Sequence, residues 1–91
     1  MLPIIWRLSA RTELMQIIHY IANEDPQAAR QLKDRLESAV LSLAEHPYLY
    51  RTGRVPGTRE LVAHPNYVLV YRVAADCIEV VSVLHSRQEY P

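Results

Sequence analysis

Two apolar rhythms divide this chain. From Leu14 onward, Leu14, Ile17, Ile18, Ile21 and Ala22 follow the i, i+3, i+4, i+7, i+8 spacing of one helix face. Ser9 reads as the N-cap of that helix. Asn23-Glu24-Asp25-Pro26 is a break and a restart, with Asp25 as N-cap and Pro26 as first helical residue. The second helix runs to about Ala44 and buries Ala29, Leu32, Leu36, Val40 and Leu43. Its polar face carries Arg30, Lys33, Asp34, Arg35 and Glu37, spaced for i, i+4 pairing. So short a break predicts an antiparallel helical hairpin.

Past His46-Pro47 the period drops to two. Residues 48–58 read as a loop that holds Pro56 and both glycines, Gly53 and Gly57. Strands are expected over 59–64, 66–73 and 77–84. In the second of these, Tyr67, Leu69, Tyr71 and Val73 share one face, and Val68, Val70 and Arg72 the other. A short strand over residues 3–7 precedes the helices, with Trp6 expected in the core. The order β-α-α-β-β-β predicts an α+β fold, a helical hairpin on one face of a mainly antiparallel sheet. The pattern leaves open where the first strand pairs.

At 91 residues the chain is expected to form a single domain, residues 1–91. A domain of this size buries only about 60–65% of its unfolded surface, so its stability margin is thin. No apolar run approaches the roughly 20 residues of a membrane span. The start, MLPIIWRLSARTE, lacks the basic and apolar regions of a signal peptide, so a cytoplasmic protein with no membrane partner is expected. The lone cysteine, Cys77, excludes an internal disulfide and reads as a small hydrophobe at a strand start. His19, His46, His64 and His85 are scattered, and no Cys/His spacing suggests zinc. Neither a metal nor another cofactor is expected.

The formal net charge is zero, but nine of the ten basic residues are arginine. Arginine favours planar, bidentate recognition of phosphate and carboxylate. Arg51, Arg54, Arg59, Arg72 and Arg87 stand at the edges of the strand runs. Such an edge, without paired acids or a reactive thiol, points to an anion or an acidic partner.

Three phrases, GRVPGTRELV, PNYVLVYR and VLHSRQ, occur in that order after a WRLSARTELMQIIHYIA opening. With this layout the chain resembles the RelE/ParE superfamily of type II toxin–antitoxin toxins, the ParE branch in particular. The resemblance covers nearly the whole chain. It implies a toxin that causes growth arrest unless its antitoxin, encoded by the neighbouring gene, holds it. Plasmid maintenance is the associated role. ParE-like members inhibit DNA gyrase. RelE-like members cleave mRNA in the ribosomal A site without metal. In both, operator DNA is met only through the antitoxin complex.

Metal-free RNA cleavage needs a group to take the 2′-hydroxyl proton, a group to protonate the leaving oxygen, and cations for the developing charge. The RelE-like reading assigns these tasks to His85, Arg87 and Tyr90. Against it, the second half of the chain has no lysine, and arginine stays protonated. A gyrase inhibitor needs only a gripping surface, and Arg51, Arg54, Arg59, Arg72 and Arg87 are the expected target-binding residues. The plain structural readings stand beside these. A histidine at a strand end such as His85 is more often a hydrogen-bonded structural residue. His64 reads as a turn cap. Arg59 with Glu60 reads as a solvated cross-strand pair. Tyr48, Tyr50, Tyr67 and Tyr71 read as buried rings with hydroxyls at the rim.

Overall fold

The computed structural model describes residues 2–88 of the chain. Strand β1 spans Ile4–Trp6, helix α1 Leu8–Ala22 and helix α2 Pro26–Glu45. Four strands follow: β2, Arg51–Thr52; β3, Arg59–His64; β4, Tyr67–Val73; β5, Ile78–His85. The fold is α+β. The five-stranded sheet has the order β1-β5-β4-β3-β2 and is antiparallel except for β1, which runs parallel to β5.

The parallel pairing answers what the sequence pattern left open. Ile4 and Trp6 stand opposite Ile78 and Val80. The Ile78 N–H donates to the Pro3 carbonyl at 2.8 Å and the Arg7 N–H to the Val80 carbonyl at 3.0 Å. That last bond keeps the chain extended through Arg7, so α1 begins at Leu8 and not after a Ser9 cap. The Arg7 side chain makes no capping bond. Ser9 lies inside the helix and its hydroxyl donates to the Val81 carbonyl at 3.3 Å. Asp25 does cap α2, accepting from the Ala28 N–H at 3.1 Å with Pro26 as the first helical residue.

Ala29, Leu32, Leu36, Val40 and Leu43 are all buried, as the stripe on α2 predicts. Leu32, Leu36, Val40 and Leu43 meet Leu61, Ala63, Leu69, Tyr71, Ile78, Val80 and Val83 from the inner sheet face. Ile17, Ile18 and Ile21 of α1 and Trp6 of β1 are partly buried against this cluster. Arg35, expected on a solvated pairing face, instead donates from Nε to the Ala63 carbonyl at 3.0 Å and ties α2 to β3. The Lys33–Glu37 pair does form, at 3.6 Å.

Strand β2 was expected to be loop. Its two residues are too few to carry a period. It exists because the chain folds back on itself: the Gly53 N–H donates to the Thr58 carbonyl at 2.8 Å, and the Thr58 hydroxyl donates to the Val55 carbonyl at 2.6 Å. A Cβ at Gly53 would collide with the Thr58 hydroxyl. Gly57 sits at φ +84°, a conformation L side chains rarely adopt. On β5 the pairing runs Val80 to Tyr71 and then Ser82 to Val70, leaving Val81 as a bulge.

Both helices pack on the inner face of the sheet. Among the described residues, no helix covers the outer face, and no helix is long and apolar enough to cross a membrane.

Candidate target-binding face

Strand alternation sorts the arginines. Leu61 and Tyr71 point to the inner core, so Glu60, Val62, Val70 and Arg72 point outward. Arg51 stands opposite Glu60, and Glu60 opposite Val70, forming one outer row. Arg72 lies on the same face of β4, about 7 Å along the strand from Val70. In the next row Glu79, opposite Arg72, pairs with Arg7 at 2.9 Å.

Glu60 is the hub of this face. Its side chain is 3% exposed, yet it is a carboxylate. Arg51 donates to its Oε1 from Nε and lies within reach from Nη2, both at 2.8 Å. Arg54 Nε approaches Oε2 at 4.0 Å. The two guanidinium groups are half exposed, at 56% and 48% of the side chain. A buried carboxylate is tolerable only with such partners. The consequence is two arginines held at the surface of a helix-free sheet, beside the exposed Arg72.

Arg59 has a different role. Its guanidinium turns to the inner side, donating to the carbonyls of Tyr50 at 2.8 Å and Tyr48 at 3.4 Å. It also lies 5.0 Å over the Tyr48 ring. Arg59 and Glu60, expected as a pair, turn to opposite sides of the sheet, as adjacent strand residues do. Arg59 pins the loop after α2 to the sheet. Two tyrosines pin it further: Tyr71 donates to the Pro47 carbonyl at 2.7 Å, and Tyr50 bonds the Ser42 hydroxyl at 2.9 Å. Burial pushes the Tyr71 phenol up to about 12, the nearby Arg59 charge acting weakly against it. Tyr48, read as a buried ring, is 67% exposed.

Arg87 lies apart. It sits in the turn after β5, and His85 stands opposite Tyr67 at the far end of the sheet. Arg72 stands opposite Glu79, six residues back along β5, so about 20 Å separates the two ends. His85 is bound into that turn, its Nδ1 accepting from the Arg87 N–H at 3.1 Å. His64 does the same for the Asn66 N–H at 3.0 Å, the turn-cap role expected for it. Burial, helped by Arg35, lowers the pKa of His64. Both rings pack on Tyr67, with centroids at 5.6 and 5.5 Å. Tyr90 lies outside the described residues. Among the described residues no three histidine, cysteine or acidic side chains come together as a metal site would need.

The face that emerges joins Arg51, Arg54 and Arg72 and leaves out Arg59 and Arg87. Sequence reasoning missed Glu60 as their common anchor. The available signal was a lone acid at an alternating position inside an apolar strand.

The family model for the ParE toxin of the type II toxin–antitoxin system parDE matches residues 4–90, and the chain belongs to that family. It is 42% identical over 87 residues to the candidate toxin Y4kP of Sinorhizobium fredii, covering 94% of this chain and 90% of that one. It is 36% identical over 86 residues to toxin RelE2 of Caulobacter vibrioides, covering 94% and 97%. A chromosomal ParDE system from P. aeruginosa shares the fold, with TM-score 0.80 and 21% identity over 93% of this chain and 96% of that one.

Proposed function

We propose that this toxin acts in the ParE manner, gripping DNA gyrase through the outer sheet face and so arresting growth. The observation that carries this reading is the outer cluster itself: Arg51 and Arg54 anchored on the buried Glu60 beside the exposed Arg72. Such a surface suits a protein or nucleic-acid target and needs no proton transfer. A nuclease would need its base, its acid and its cations around one phosphate. Here His85 and Arg87 lie about 20 Å from Arg72 along the sheet, and Nδ1 of His85 is already engaged. Operation in the cytoplasm as one domain, without metal or cofactor, and a role in plasmid maintenance follow from the same reading.

The second reading, ribosome-dependent mRNA cleavage with His85, Arg87 and Tyr90 as the catalytic set, draws its support from the likeness to toxin RelE2. One experiment separates the two. Purified toxin is assayed for inhibition of gyrase supercoiling and for cleavage of mRNA in a programmed ribosome. The ParE-like reading expects inhibition that Arg72→Ala weakens and His85→Gln leaves intact. Cleavage in the ribosome, lost in His85→Gln and Tyr90→Phe, overturns it.

The partner on this reading is an antitoxin encoded by the neighbouring gene, and operator DNA is reached only through their complex. A cleft of about 460 Å³ between β1 and α2, with Ile4, Trp6, Val40 and Leu41 on its walls and Asp34, Glu37 and Ser38 as its polar lining, offers apolar purchase to an extended segment. Acids of that segment would meet the outer arginines. Calorimetry with the neighbouring gene product should give nanomolar or tighter binding that weakens with salt.

A further inference from the structure

On the opposite side of the sheet from the arginines, a cavity of about 370 Å³ opens between α1 and the ends of β4 and β5. Glu13, Tyr20, Tyr67 and His85 form its polar and aromatic walls, and Ile17 its apolar one. We propose that this cleft is a docking site for an arginine side chain of a partner protein.

The carboxylate of Glu13 is fixed before any ligand arrives. Its Oε1 accepts from the Ser82 hydroxyl at 2.9 Å and from the Val83 N–H at 3.4 Å, and its Oε2 lies 3.1 Å from the same hydroxyl. These bonds tie α1 to β5 just past the bulge. A carboxylate has about four acceptor positions, so acceptor capacity still faces the cleft. Among the described residues Glu13 is the only acid in the lining, and no lysine or arginine lines the cleft to neutralise it. A phosphate or carboxylate ligand would be repelled; a cation is favoured.

The rings choose among cations. Tyr67 is held between His64 and His85, so its place in the wall is set. Tyr20 is 76% exposed on α1 with its ring at the cleft. A planar guanidinium can take the carboxylate through parallel N–H bonds and lie against an aromatic face at once; an ammonium offers only a point charge. Burying Tyr20 under such a side chain would also remove a large apolar area from water. The cleft shares no residue with the outer arginine face; His85 is common to it and to the ribosome-dependent reading, so the test rests on Glu13, which neither reading uses.

The probe is N-acetylarginine methylamide, titrated into the full chain while NMR follows the Ser82 and Val83 amides and the ring protons of Tyr20, Tyr67 and His85. Saturable shifts confined to these signals are expected, with a dissociation constant on the order of millimolar for so small a fragment. The neutral citrulline analogue should give no saturable shift. Glu13→Gln keeps an oxygen for Ser82, so the fold persists, and it should weaken the arginine probe by about tenfold. No saturable shift with the arginine probe, an equal response to citrulline, or unchanged affinity in Glu13→Gln overturns the proposal.

Discussion

The Glu60 carboxylate, 3% exposed, receives Arg51 through two nitrogens at 2.8 Å across the β2–β3 pair. The relation is asymmetric, because the acid is buried and the base half exposed. Arg51→Ala leaves a buried charge with less compensation and should cost about 2–3 kcal/mol of stability. Replacing both residues, Arg51→Ala with Glu60→Leu, should recover much of that loss. Urea denaturation of the two single variants and the double variant measures the coupling, and additive effects would show that the pair is energetically idle.

Arg59 and Arg72 should separate stability from binding. Arg59→Ala removes donors to the Tyr48 and Tyr50 carbonyls and frees the loop after α2. A loss of about 1–2 kcal/mol is expected in denaturant unfolding. Arg72 is exposed on the outer face and makes no ion pair among the described residues. Arg72→Ala should change stability by no more than about 0.5 kcal/mol while relieving growth arrest on expression. If Arg72→Ala remains fully toxic, the outer face is not the contact surface.

The elements that were legible in the sequence are those fixed by many residues acting together. Five apolar positions at helical spacing located α2 and its buried stripe, and Asp25-Pro26 marked its start. Strand β3 fell on residues 59–64 as the alternation predicts. Single-residue inferences fared less well. Ser9 reads as a cap, but the β1–β5 ladder carries the extended chain through Arg7. Arg59 and Glu60 read as a pair because they are adjacent, yet a strand sends neighbours to opposite faces. The parallel partner of β1 and the two-residue β2 depend on contacts between distant segments, which no local pattern records. For the same reason five arginines read as one set in sequence, while the sheet groups three and places Arg87 at the far end.

Tyr71 should make stability fall in alkali. Its phenol has an ordinary value of 10.0 and is pushed up to about 12 in the fold by burial. The unfolded chain therefore ionises first. Stability from this group is fully present below pH 10.0 and declines as pH rises toward about 12. Tyr71→Phe should flatten that decline. At neutral pH it should cost about 1–2 kcal/mol, since the Pro47 carbonyl loses its donor. Chemical denaturation repeated from pH 8 to pH 11 (roughly one unit past the onset) tests both statements.

Cys77 should be a sluggish thiol despite lying outside the core. It stands in the turn before β5, partly exposed, with the Ala74 N–H donating to its carbonyl at 2.8 Å. Desolvation raises its pKa above the ordinary 9.0, and the neighbouring Asp76 adds to this by its charge and by a hydrogen bond to the thiol. The thiolate is the nucleophile, so a raised pKa means a smaller reactive fraction at neutral pH. Alkylation by iodoacetamide at pH 7.5 should be slower than that of an unstructured cysteine peptide, with the rate still climbing above pH 9.0. Asp76→Asn removes the charge and should speed the reaction without altering the β4–β5 pairing. A rate that matches the peptide and levels off below pH 9.0 would show that Asp76 does not hold the thiol protonated.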